Sequence, residues 1–122
     1  MLRVLVVDDD RDLADSLAQL LRLWGLDGCA AYGSLGALAL LASFRPQVAV
    51  LDLSLPFIDG PHLAQALRAW PEPPGRLVAL TGLGENEMPP GGRLLFDSLL
   101  RKPADPDELR ALLEGYAREL GG

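Results

Sequence analysis

The chain has 122 residues, 49% of them hydrophobic, which suits one compact domain with a real core and leaves little for a second. With 11 Lys and Arg against 17 Asp and Glu, the formal charge of −6 argues against nonspecific nucleic-acid binding, which runs on excess positive charge. One cysteine, Cys29, excludes an internal disulfide and a multi-cysteine metal site, and no apolar run approaches the ~20 residues of a membrane span, so a cytoplasmic protein with no membrane partner is expected.

Leu2 to Val7 is a short β-branched apolar run that ends in Asp8-Asp9-Asp10. Leu13, Leu17, Leu20, Leu21 and Trp24 then recur at helical spacing, and Gly25 is placed to end that helix. Gly28 to Tyr32 reads as a weaker strand, and Ser34 as the cap of a second helix, apolar nearly all round, running to about Phe44. After Arg45-Pro46 comes Val48-Ala49-Val50-Leu51, the run of a strand buried on both faces, which stops at Asp52 because Pro56 soon forbids extension. Asp59-Gly60-Pro61 opens a third helix with Leu63, Ala66, Leu67 and Trp70 along one stripe.

Leu77 to Leu80 is a fourth strand, ending in Thr81-Gly82. Residues 83–97 are the least regular part; Pro89-Pro90-Gly91-Gly92 would break any long helix there and leave at most a short one from Arg93 to Asp97. Ser98 to Leu100 is a brief fifth strand before Arg101-Lys102-Pro103. Asp105, Pro106 and Glu108 then start a last helix in capping-box fashion, with Leu109, Leu112, Leu113, Tyr116 and Leu120 as its buried stripe. Strands and helices alternate throughout, which predicts a parallel sheet with helices on both faces.

In such a sheet the carboxyl ends of all strands share one rim, the place where open α/β sheets bind ligands. Strand one delivers Asp8 and Asp9 there, strand three Asp52, strand four Thr81 and strand five Lys102. Each has a plain structural reading: a helix start, a strand-end acid, a strand-end hydroxyl, a solvated cation. Together they crowd three carboxylates, and each close pair costs about 4 kcal/mol at ~4 Å and an effective dielectric near 20. Lys102 supplies one compensating charge, and a hard divalent ion such as Mg²⁺ is the natural remainder. An anionic oxygen beside a cation and an ammonium is set up for phosphoryl transfer, with Thr81 donating to a phosphoryl oxygen.

Val6-Val7-Asp8-Asp9-Asp10, Val50-Leu51-Asp52-Leu53-Ser54-Leu55-Pro56, Leu80-Thr81-Gly82 and Arg101-Lys102-Pro103 resemble the four signature blocks of response-regulator receiver domains, and Asp59-Gly60 matches the segment that follows the phosphorylation site. The resemblance runs the length of the chain, residues 1–122, as one receiver domain. It implies the flavodoxin-like (βα)5 three-layer fold with strand order 2-1-3-4-5, here with its fourth helix shortened or irregular. It also implies that Asp52 takes a phosphoryl group from a histidine kinase or phosphotransfer protein. By the same resemblance Asp9, Asp52 and the Ser54 carbonyl ligate Mg²⁺, or Mn²⁺ in its stead, and Asp8 helps through water. Lys102, joined to Pro103 by a cis peptide, holds the phosphoryl group, and Thr81 is the switch hydroxyl. Such a protein catalyses its own phosphorylation and dephosphorylation without being a conventional enzyme.

Two departures stand out. Leu99 occupies the position where the family usually carries an aromatic ring or His, and Pro89 to Gly92 interrupt the helix of the usual output face. Leu83 and Ser54 bring little with which to position a hydrolytic water, so slow self-dephosphorylation is expected. The alternatives are a degenerate receiver that docks partners without a phosphorylation cycle, and an aspartate-nucleophile phosphatase. The latter wants a second acid where Ser54 stands. A flavin or dinucleotide carrier is set aside because Asp8-Asp9-Asp10 replaces the Gly-rich phosphate loop.

Overall fold

Five runs rich in Val, Leu and Ala become strands: β1 (Arg3–Val7), β2 (Asp27–Ala31), β3 (Val48–Asp52), β4 (Arg76–Thr81) and β5 (Ser98–Arg101). All neighbours pair in parallel, and the sheet order is β2-β1-β3-β4-β5, as expected for the flavodoxin-like arrangement. The coordinates are a computed structural model that describes residues 1–56, 58–82 and 92–121.

The helices are α1 (Arg11–Leu23), α2 (Ser34–Phe44), α3 (Gly60–Arg68) and α4 (Pro106–Leu120). Alternating strand residues face opposite ways, so the sheet feeds two cores. On one side Val4, Val6, Val50, Val78 and Leu80 pack with Leu17 and Leu21 of α1 and Leu109 and Leu113 of α4. On the other, Leu5, Val7, Leu51, Leu77 and Ala79 pack with Leu41 of α2 and Leu63 and Leu67 of α3. Central β3 is buried along its whole length, which is why its sequence reads as an unbroken apolar run.

The local signals for helix ends hold in most places. Asp10 caps α1 by accepting from the Leu13 N–H, and Gly25, at φ +83, supplies the left-handed turn that ends it. Asp59 caps α3 through the His62 N–H. Asp105 caps α4 through the Asp107 N–H rather than that of Glu108, so the capping-box pattern is only half realised. One cap differs. The residue before α2 is Gly33 with no side-chain cap, and the buried Ser34 hydroxyl donates instead to the Ile58 carbonyl, 2.5 Å away on the loop after β3.

Between β4 and β5 the described part is a single 3₁₀ turn, Gly92–Leu95, shorter than the helix considered from Arg93 to Asp97. Leu83 and Pro89 to Gly91 lie outside the described residues. Arg68 at the end of α3 holds this turn, donating to the Leu95 carbonyl (3.0 Å) and to Asp97 (2.9 Å). Asp97 in turn accepts from the Leu77 N–H at the start of β4 (2.7 Å). Leu99 is half-buried against the core shared with α2 and α3. Cys29 is also half-buried, and burial pushes its thiol above the ordinary value. Among the described residues no helix is long and apolar enough to cross a membrane.

Candidate functional site

The register of the sheet decides what meets at its carboxyl rim. Val7 pairs with Leu51, so Asp8 and Asp52 leave adjacent strands at the same level. Asp52 pairs with Leu80, which places Thr81 one step further on, and Thr81 pairs with Arg101, immediately before Lys102. The Lys102 N–H donates to the Thr81 carbonyl at 2.8 Å, carrying the ladder one residue past β5. The Lys102-Pro103 peptide is cis.

Carboxylate oxygens of Asp8, Asp9 and Asp52 lie within 4.8 Å of one another. Asp8 and Asp52 are buried, at 1% and 4% exposure, whereas Asp9 faces solvent. Lys102 Nζ sits 2.9 Å from Asp8 Oδ2 and 3.3 Å from Asp52 Oδ1. The first contact is a charge-assisted hydrogen bond; the second is a longer ion pair. The remaining carboxylate capacity is partly used by backbone donors: Asp10 N–H on Asp8 Oδ1 at 3.0 Å, and Ser54 N–H on Asp52 Oδ1 at 3.1 Å.

Three clustered carboxylates have one ammonium beside two of them, so the cluster carries surplus negative charge in a partly desolvated place. Burial pushes the Asp52 carboxyl above its ordinary value; the Ser54 N–H opposes this, Asp8 reinforces it, and Lys102 opposes it. Burial alone would lower the Lys102 ammonium, but the Asp8 hydrogen bond and the Asp52 charge outweigh it and the group is held above its ordinary value. The donor set is all carboxylate oxygen, with one exposed member to keep an entry open. That chemistry fits a hard divalent cation such as Mg²⁺.

Of the residues picked out from sequence, Asp8, Asp9, Asp52 and Lys102 come together, and buried Thr81 ends the neighbouring strand. Ser54 follows Asp52 closely enough to orient it. Leu99 lies three residues before Lys102, facing the second core. Gly60 has a role that the sequence left unexplained: a Cβ there would lie 2.7 Å from Leu53 Cα and 2.8 Å from the Asp52 carbonyl, so α3 can start against the end of β3 only without a side chain. His62 is mostly exposed and bonded to Asp59 through Nδ1 at 2.7 Å. Beside Lys102 opens an apolar cavity of about 360 Å³ walled by Leu13, Leu17, Leu80, Pro103 and Ala104.

Comparison with known proteins agrees with this geometry. A family model described as the response regulator receiver domain matches residues 4–114. The chain is 33% identical over 117 residues to the response regulator MprA of Mycobacterium avium, covering 96% of this chain and 51% of that protein. It is 34% identical over 119 residues to the transcriptional regulatory protein PrrA of Mycobacterium tuberculosis, covering 98% and 51%. The chain thus spans about half the length of these curated relatives. Among solved structures, the receiver domain of a Francisella response regulator superposes with a TM-score of 0.86 at 27% identity, covering 98% of this chain and 99% of that one. A CheY-like receiver domain from Methylobacillus flagellatus also gives 0.86, at 28% identity, over 95% and 98%.

Proposed function

The chain belongs to the response-regulator receiver domain family of two-component signalling, and from that premise we propose that Asp52 is its phosphoacceptor. Receiver domains are phosphorylated by histidine kinases, and the donor here is a histidine kinase or phosphotransfer protein. One observation carries the reading: two buried carboxylates share a single lysine and an exposed third lies within 4.8 Å of them, leaving negative charge that a divalent cation would neutralise.

In this reading Asp8, Asp9 and Asp52, with the Ser54 carbonyl, hold Mg²⁺ or Mn²⁺. The ion supplies charge neutralisation for the transferred group when bound. An Asp52 carboxylate oxygen forms the new bond to phosphorus while the bond to the donor nitrogen breaks, and the departing imidazole keeps that electron pair and takes a proton. Lys102, already poised between Asp8 and Asp52, turns its ammonium to a phosphoryl oxygen, and the Thr81 hydroxyl donates to another. The exposed Ser54 hydroxyl is short, which favours slow self-dephosphorylation. Residues 1–122 act as one receiver domain in the cytoplasm.

A second reading is favoured by Leu99, which packs in the core with no ring to turn when a phosphoryl group arrives. The domain would then dock its partner regardless of phosphorylation, on an altered output face. Beryllofluoride with Mg²⁺, which mimics the acyl phosphate, separates the two. The phosphoacceptor reading expects binding that Asp52→Asn abolishes, whereas failure of the unsubstituted protein to bind favours the docking module.

A further inference from the structure

We propose that Ser34 is a positioning residue for the phosphoacceptor site, holding the loop after β3 in the shape that cation binding requires; this rests on the phosphoacceptor reading above. Ser34 opens α2, where its hydroxyl could cap its own helix, yet the helix is left without a side-chain cap. Ser34 is 4% exposed, and a buried hydroxyl is tolerated only when bonded. Its bond crosses 24 residues of sequence to the Ile58 carbonyl.

Ile58 lies on the loop that begins where Asp52 ends. The near end of that loop is tied to the sheet by the Leu53 N–H on the Leu80 carbonyl (3.1 Å), and to α3 by the Gly60 N–H on the Leu53 carbonyl (3.2 Å). Inside it, the Ser54 N–H bonds Asp52 Oδ1 and thereby orients the carboxylate. Ser34 adds a tie from α2 at Ile58, beside the Gly60 bond that closes the loop onto Leu53 and the Ile58 N–H bond to the Pro56 carbonyl. With the α2 tie lost, the closing bonds alone hold the loop, so Ser54 and Asp52 sample more arrangements and the cation meets the productive one less often. Groups that orient metal ligands from behind affect affinity in this way.

The experiment is calorimetric titration of the whole chain with MgCl₂, alongside thermal melts in EDTA. Ser34→Ala should raise the Mg²⁺ dissociation constant about fivefold, below the tenfold or more of groups that bond a ligand directly. Ser34→Cys, which keeps a weak donor and guards against a mere packing defect, should fall between. Ser98→Ala removes another side-chain hydrogen bond, the 2.5 Å contact with the Tyr116 hydroxyl where β5 begins, and should leave Mg²⁺ affinity unchanged while lowering the melting temperature. Ser34→Ala with unaltered affinity, or Ser98→Ala weakening Mg²⁺ binding equally, overturns the role of Ser34. An unsubstituted protein that takes up no Mg²⁺ overturns the phosphoacceptor reading instead.

Discussion

Lys102 Nζ lies 2.9 Å from Asp8 Oδ2, joining residues 94 positions apart in the chain, and it favours Asp8 over Asp52 at 3.3 Å. The ammonium therefore contributes to the ion-free fold. Lys102→Met removes the counter-charge of two buried carboxylates. Breaking a fully buried pair costs about 3–5 kcal/mol, and the 24% exposure of the Lys102 side chain brings the expected loss toward the lower figure. Urea unfolding at pH 7 in EDTA measures it, and added Mg²⁺ should restore part of the loss.

The raised Asp52 carboxyl makes stability depend on pH. Its folded value lies above its unfolded one, so over that window the folded state holds a proton the unfolded state has released. Stability contributed at this group falls as pH rises from about 4 through the raised value. Lys102, also raised, stabilises fully below about 10.4, and its contribution is lost only as pH climbs through its folded value. In EDTA, Asp52→Asn should thus be more stable than the unsubstituted protein at pH 7, with the advantage shrinking toward pH 4. A gap that stays constant across that range would contradict the assignment of cause.

Asp9 is the exposed member of the carboxylate cluster, so on the proposed reading its charge matters more to a bound cation than to the fold. Asp9→Asn should leave the EDTA melting temperature equal or higher, since a like charge is gone. The rise that Mg²⁺ gives the unsubstituted protein should largely vanish. Paired thermal melts with EDTA or excess MgCl₂ read both effects at once.

Gly60→Ala would place a methyl group 2.7 Å from Leu53 Cα and 2.8 Å from the Asp52 carbonyl, both backbone and neither able to rotate away. Glycine-to-alanine changes normally gain about 0.4–1 kcal/mol through the unfolded chain. Overpacking costs about 1–3 kcal/mol, so net destabilisation is expected. Because the clash falls on the residues that aim Asp52, beryllofluoride binding should weaken as well, and fluorescence or calorimetric titration checks it.

Much of this architecture could be read before any coordinates. Asp52 and Thr81 end their strands, and Asp8 and Lys102 follow theirs by one residue; these positions follow from where apolar runs stop, and a parallel sheet brings them to one rim. The caps at Asp59 and Asp105 are local chemistry, with partners two or three residues away. Ser34 carries the same local cap signal and misleads, because its partner Ile58 is brought near only by packing of α2 against the loop after β3. The Arg68 clamp on Leu95 and Asp97 likewise leaves no local trace, since a solvent-facing arginine on a helix looks the same whatever it later meets. Which carboxylate Lys102 lies nearer is set by side-chain conformation, which residue spacing does not encode.

Intact-mass measurement after incubation with acetyl phosphate and Mg²⁺ bears on the phosphoacceptor assignment head-on. The unsubstituted protein should gain the mass of one phosphoryl group, persist in that form well beyond seconds in Mg²⁺ alone, and show no gain when Mg²⁺ is withheld or Asp52 is replaced by Asn. An unchanged mass in the complete reaction, or the same gain in the Asp52→Asn protein, would contradict it.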